Sequence, residues 1–157
     1  MNTRTLTLTA LFIALSAVGG MVKIPLGPAS IAMDAMPALV AAFILSPALA
    51  AAVGGLGHLL SALSGGFPLG PMHAVIGIEM AAIIFIFALM HQKGAKFLIW
   101  PVFIIGNGII AAIPFYFILS PAFFYAAVPG LLLAAMINAV VAALVMPFVL
   151  KARMATQ

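Results

Sequence analysis

The chain has no cysteine and only two acidic residues; with six basic ones, charged side chains make up 5% of its 157 residues. Without cysteine there is no disulfide, no zinc–thiolate site and no thiol chemistry. The shortage of charge excludes more. A soluble domain carries about 25% charged residues, because its surface must be solvated. This chain cannot cover a water-facing surface. What it has instead is apolar: 67% hydrophobic residues and a mean hydropathy of +1.38. The bilayer is therefore expected to be its solvent. The apolar runs are long and continuous, whereas barrel strands alternate over roughly ten residues, so the expected spans are helices. The net charge of +4 comes from scattered bases, which gives no ground for nucleic-acid binding. The length suits one transmembrane domain over residues 1–157. The first residues carry a single base, Arg4, and no small-x-small cleavage site follows, so the segment is expected to stay as a first helix rather than leave as a signal peptide.

A helix of about 20 apolar residues spans a bilayer, and Gly and Pro clusters break the chain. These rules predict an all-α bundle of six transmembrane helices, at about residues 6–22, 31–45, 48–63, 72–90, 97–119 and 129–150. The second is short and contains Asp34 and Pro37. Residues 64–71, rich in Gly and Pro, read as a loop. With six spans both termini share a side. Arg4, Lys93, Lys96, Lys151 and Arg153 then fall together and only Lys23 falls opposite. Cytoplasmic loops are enriched in Lys and Arg, so both termini are expected in the cytoplasm.

Ionisable groups inside spans are costly and usually face the bundle interior or a cavity. Here Lys23 and Asp34 flank the first external loop, His73 opens the fourth helix, and Glu79 lies about two turns deeper. His58 sits in the outer half of the third helix, and Asn107 and Asn138 near the middle of the fifth and sixth. All fall in the outer half or at the midplane, which suggests a polar pocket open to the outside. Each has a plainer explanation. Lys23 can snorkel to headgroups, Asp34 can cap the second helix, and Asn107 and Asn138 can hydrogen-bond helices together. His73 can be a wetted loop residue. Glu79, inside an apolar helix, must be protonated or partnered, and a structural pair with His58 is one solution. His58, His73 and Glu79 are metal-ligand types, yet no ligand-spaced motif contains them, and no metal or cofactor is expected.

The first helix carries Ala10-x-x-x-Ala14, two small side chains one turn apart on one face. Such a face lets another helix approach closely, and it equally suits packing inside the bundle.

With these features the chain resembles the substrate-binding S component of an energy-coupling-factor (ECF) vitamin transporter. The resemblance rests on size, six spans, cytoplasmic ends, Ala10-x-x-x-Ala14 and a Gly/Pro-containing first loop at residues 23–30. It also rests on Gly54-Gly55-Leu56-Gly57-His58 and the following residues to Pro68, which look like the family's third helix and loop. It implies a binding protein of a prokaryotic plasma membrane with no ATPase of its own. Such a protein captures a small water-soluble vitamin or precursor and docks on a membrane T component driven by two cytoplasmic ATPases. It implies that Ala10 and Ala14 form the docking face and that the first loop acts as a lid. The segment from Gly66 to His73 resembles members proposed to carry cobalamin precursors such as α-ribazole. On this reading Glu79, His58, His73, Lys23 and Asp34 supply charge or hydrogen bonds, and Asn107 and Asn138 fix orientation.

No phosphate-binding G-x-x-x-x-G-K-[ST] loop occurs, so energy for uphill transport must come from partners or a gradient. A self-sufficient ion-coupled secondary transporter is the main alternative, though no pair of interrupted repeats is visible. A membrane enzyme would need a nucleophile motif such as G-x-S-x-G, which is absent. An assembly subunit without a ligand is the remaining class.

Overall fold

Asn2 starts the first helix by accepting the Thr5 N–H on its side-chain oxygen at 2.8 Å, which satisfies one of the unpaired donors at a helix start. In the computed structural model, which describes residues 2–26 and 29–154, this helix is α1 (Thr3–Gly19). The hairpin strands β1 (Lys23–Leu26) and β2 (Ala29–Ala32) follow, then the short α2 (Ala35–Ala41). The long α3 (Pro47–Ser64) and α4 (Met72–Gln92) come next. After them come α5 (Ile99–Gly108), a 3-10 turn (Ile110–Ala112), α6 (Ile113–Ile118) and α7 (Pro121–Met154). Among the described residues, four segments are long and apolar enough to cross a membrane: Pro47–Ser64, Met72–Gln92, Ile99–Ile118 and Pro121–Ala152. The apolar α1 is shorter, at 17 residues. Large apolar side chains point outward on every side: Ile78 on α4, Phe117 on α6 and Phe148 on α7 are all more than 70% exposed. Lipid tails are the solvent that makes such a surface stable.

The predicted second span is the largest departure. Residues 31–45 do not form one membrane-length helix. Ile31 and Ala32 end β2, α2 has 7 residues, and a tight turn leads to Ser46. The physical reason is the hairpin. β1 and β2 pair antiparallel, Lys23 opposite Ala32 and Ile24 opposite Ile31, which commits the start of the predicted span to strand. The tip residues Gly27 and Pro28 lie outside the described residues. The short helix is nevertheless the centre of the bundle. Ala38, Leu39 and Ala41 are fully buried, and α1, α3, α4 and α7 all pack on α2.

Two further boundaries differ. The fifth predicted span is broken after Gly108: Ile109 leaves the helical region, and Pro114 lacks the N–H that would rejoin the ladder. The sixth begins at Pro121 instead of residue 129. Ser120 Oγ accepts the Phe123 N–H at 3.1 Å, and Pro121 takes the first helical position, where its missing N–H costs nothing. Pro129 is thus interior.

Close approach of helices depends on small residues, as expected where lipid competes for apolar surface. At Gly57 of α3 a Cβ would overlap the Ser16 side chain of α1. At Gly55 it would come 2.9 Å from the Gly77 carbonyl of α4.

A polar cavity at one end of the bundle

Connectivity puts Lys23, the end of α3, the start of α4 and the start of α7 at one end of the bundle. Arg4, the end of α4 and Lys151 lie at the other. A cavity of about 330 Å³ opens at the first end. That size is within the range of small-molecule sites.

Lys23 opens β1 and reaches the last turn of α3, where its Nζ donates to the Ser61 carbonyl at 2.8 Å. Carbonyls at a helix end lack intrahelical partners and carry partial negative charge, so an ammonium is well placed there. Gly65 leaves the room: a Cβ at that position would come 2.6 Å from Nζ. The ammonium is thus engaged inside the fold, not extended to a headgroup layer.

Asp34 sits at the capping position of α2 but makes no side-chain cap. Its Oδ2 lies 3.1 Å from His58 Nδ1. His58 Nε2 lies 3.3 Å from His73 Nδ1, and the Leu69 N–H points at His73 Nε2 at 3.4 Å. The loop before α4 makes this last contact possible. Gly66, Phe67 and Gly70 all take positive φ, folding the chain back so that Leu69 overlies His73 and the Phe67 ring centroid stands 5.7 Å from the imidazole. A positive φ at Phe67 is an unfavourable conformation for a bulky residue, held by its surroundings.

Asn138 is 2% exposed and fully engaged. Its Oδ1 accepts the Met36 N–H at 2.7 Å, and its Nδ2 donates to the carbonyls of Ala32 (2.7 Å) and Ala134 (2.9 Å). It pins the hairpin and α2 to α7. Asn107 is different: it lines the same cavity beside the break in the fifth segment, and its amide has no hydrogen bond among the described residues.

Six of the seven polar residues singled out in the sequence therefore line one cavity: Lys23, Asp34, His58, His73, Asn107 and Asn138. Glu79 does not. On α4 the lining residues are His73, Ile76 and Met80, and Glu79 is turned about a quarter of the circumference away from their centre. Its Oε2 is buried without a hydrogen-bond partner, and no bond joins it to His58. Among the described residues, no group of three or more His, Asp or Glu side chains is arranged to hold a metal ion. Sequence reasoning missed Ser30, Ser61, Phe115 and Phe123 in the wall. Nothing in periodicity separates these two among 12 phenylalanines. Only the turn at Ser120–Pro121 brings the Phe115 and Phe123 rings together, tilted by 53° with 6.2 Å between centroids.

Over residues 4–150 the chain matches the family described as ECF transporter, substrate-specific component. The chain belongs to this family. No curated relative and no solved structure matches it. An S component is the membrane subunit that binds the transported substrate, and it works in a membrane complex with a T component and ATPases. The family is one of transporter subunits, not of enzymes. In this S component Ala10 and Ala14 lie exposed on α1, while Thr9, Phe12 and Ser16 on the other side of the helix are buried.

Proposed function

We propose that this S component captures a small water-soluble vitamin or vitamin precursor in the cavity described above, for uptake across a prokaryotic plasma membrane. The observation that carries the reading is the convergence of Lys23, Asp34, His58, His73 and Asn107 from separate elements on one cavity, in a chain of which only 5% of residues are charged. Isolated polar groups inside an apolar bundle are retained where they do something. Six crossings, with α2 and its flanking strand serving as the second, put both termini in the cytoplasm and the cavity on the outside. The hairpin contributes Lys23, Pro25, Ser30 and Ala32 to the wall, as a lid over a ligand would. A cobalamin precursor such as α-ribazole is one ligand to test, on the likeness of residues 66–73.

Ala10 and Ala14 form the face that docks on the T component, which two cytoplasmic ATPases drive. Their outward position on α1 supports docking over internal packing. The test is co-purification. Wild type should bring down the T component and ATPases, whereas Ala10→Leu with Ala14→Leu should lose them at unchanged melting temperature. A double variant that still co-purifies at wild-type yield refutes the docking face. The rival reading, an ion-coupled transporter acting alone, draws on the broken fifth segment and the buried Glu79 carboxyl. Uptake by proteoliposomes holding this chain alone would favour it.

A further inference from the structure

The three contacts that chain Asp34, His58, His73 and Leu69 together admit one proton assignment. A backbone N–H can only donate, so Leu69 makes His73 Nε2 the acceptor. A neutral imidazole that accepts at one nitrogen carries its proton on the other, so His73 Nδ1–H donates to His58 Nε2. His58 then carries its proton on Nδ1 and donates to Asp34 Oδ2, which as a carboxylate can only accept. Every link has one donor and one acceptor, with both rings neutral and protonated on Nδ1. A metal ion held between His58 Nε2 and His73 Nδ1 would instead leave the proton on His73 Nε2, pointing at the Leu69 N–H.

We propose that Asp34 is a positioning residue that, with the Leu69 N–H at the other end, locks His58 and His73 in this tautomer, and that the cavity so poised takes an uncharged ligand bearing a hydroxyl- or amide-type donor and acceptor. The relay spends all four ring nitrogens inside the protein. The side-chain hydrogen-bonding groups left for a ligand include the remaining N–H donors of Lys23, the second oxygen of Asp34, the amide of Asn107 and the hydroxyls of Ser30 and Ser61. With the rings neutral, the one cation and one anion of the wall cancel. A phosphate ester would bring about −2 charge to a wall where one ammonium is already opposed by a carboxylate, so it is rejected. The rest of the wall, with Phe115, Phe123, Ile76 and Met80, suits a flat apolar body. This inference rests on the cavity being the ligand site.

The test is nitrogen NMR of the full chain in lipid nanodiscs at neutral pH, with ¹⁵N-labelled histidine and His58→Gln and His73→Gln variants to assign the rings. Both rings should show a protonated Nδ1 and an unprotonated Nε2. Asp34→Ala removes the charge-assisted end of the chain and leaves only the 3.4 Å Leu69 contact, so His58 should show a mixture of Nδ1- and Nε2-protonated forms, while Asp34→Asn, which keeps an acceptor oxygen, should restore the wild-type pattern. A wild-type ring protonated on Nε2, or on both nitrogens, overturns the relay, and it does so even if Asp34→Ala fails to fold. A folded Asp34→Ala with an unchanged spectrum overturns the positioning role of Asp34, since Leu69 alone then sets the tautomer. Titration with millimolar inorganic phosphate should leave both rings unmoved; a saturable shift overturns the uncharged-ligand assignment. Failure of the S-component reading shows elsewhere, as loss of partner co-purification with these spectra intact.

Discussion

Two asparagines at similar depth have opposite duties. Asn138 closes three hydrogen bonds that hold β2 and α2 against α7, whereas Asn107 keeps its amide for the cavity. Asn138→Ala leaves the Met36 N–H and the Ala32 carbonyl without side-chain partners, and an unsatisfied buried group costs about 1–3 kcal/mol. Thermal melting of the purified protein should register a loss of about 2–4 kcal/mol; unchanged melting would deny the clamp. Glu79 offers the reverse case. Its carboxyl is outside the cavity wall and its Oε2 is unpartnered, so Glu79→Gln removes a poorly solvated acid and no contact. Melting temperature should hold or rise by about 2–4 °C, the change that roughly 1 kcal/mol makes in a chain of this size, with ligand retention unchanged. A variant that melts lower would mean that Glu79 has a structural partner after all. Polar residues were legible in the sequence because each interrupts an apolar run, which is costly and so meaningful. Their facing direction was not. Ile76 and Glu79 are three residues apart, and only the packing of α4 decides which meets the cavity. Serine and phenylalanine in the wall carried no signal at all, since serine is common at helix–helix contacts and phenylalanine on lipid-facing surfaces.

At the level of elements, length and hydropathy were enough for α3 and α4, whose bounds fall close to the expected ones. They misjudged residues 31–45, because strand pairing between Lys23–Leu26 and Ala29–Ala32 is a tertiary choice that an apolar window does not reveal. The Ser-Pro pair at residues 120–121 is a readable helix start eight residues before the expected one at Pro129. The glycines of α3 were legible as small residues but not as contacts. Gly57 is the sharpest instance, since even a methyl group there would overlap Ser16. Gly57→Ala should push α1 off α3 and destabilise the protein by about 1–3 kcal/mol, seen in melting or chemical unfolding. A variant as stable as wild type would mean that α1 can shift without penalty.

For the whole molecule, scarcity of charge determines both solvent and site. Arg4, Lys93, Lys96 and Lys151 sit at one end and the cavity, with Lys23, at the other, so orientation in the membrane decides which compartment the cavity samples. Because the chain has no cysteine, single cysteines give clean reporters. A cysteine at Gly66 should react with an impermeant maleimide on intact cells, and one at Lys93 only after permeabilisation; the opposite pattern would invert the topology. The claim on which the rest depends is that the cavity holds the transported ligand. It is tested most directly by mass spectrometry of small molecules released from gently purified protein, wild type beside Lys23→Met. The substitution keeps an apolar stem and removes the ammonium, and a hydrogen bond to a charged group contributes about 1.5–3 kcal/mol, so affinity should fall roughly 10- to 150-fold. Wild type should release one small molecule near equal stoichiometry, and the folded Lys23→Met protein should release little or none. Equal release of the same molecule from both would contradict the cavity as the binding site.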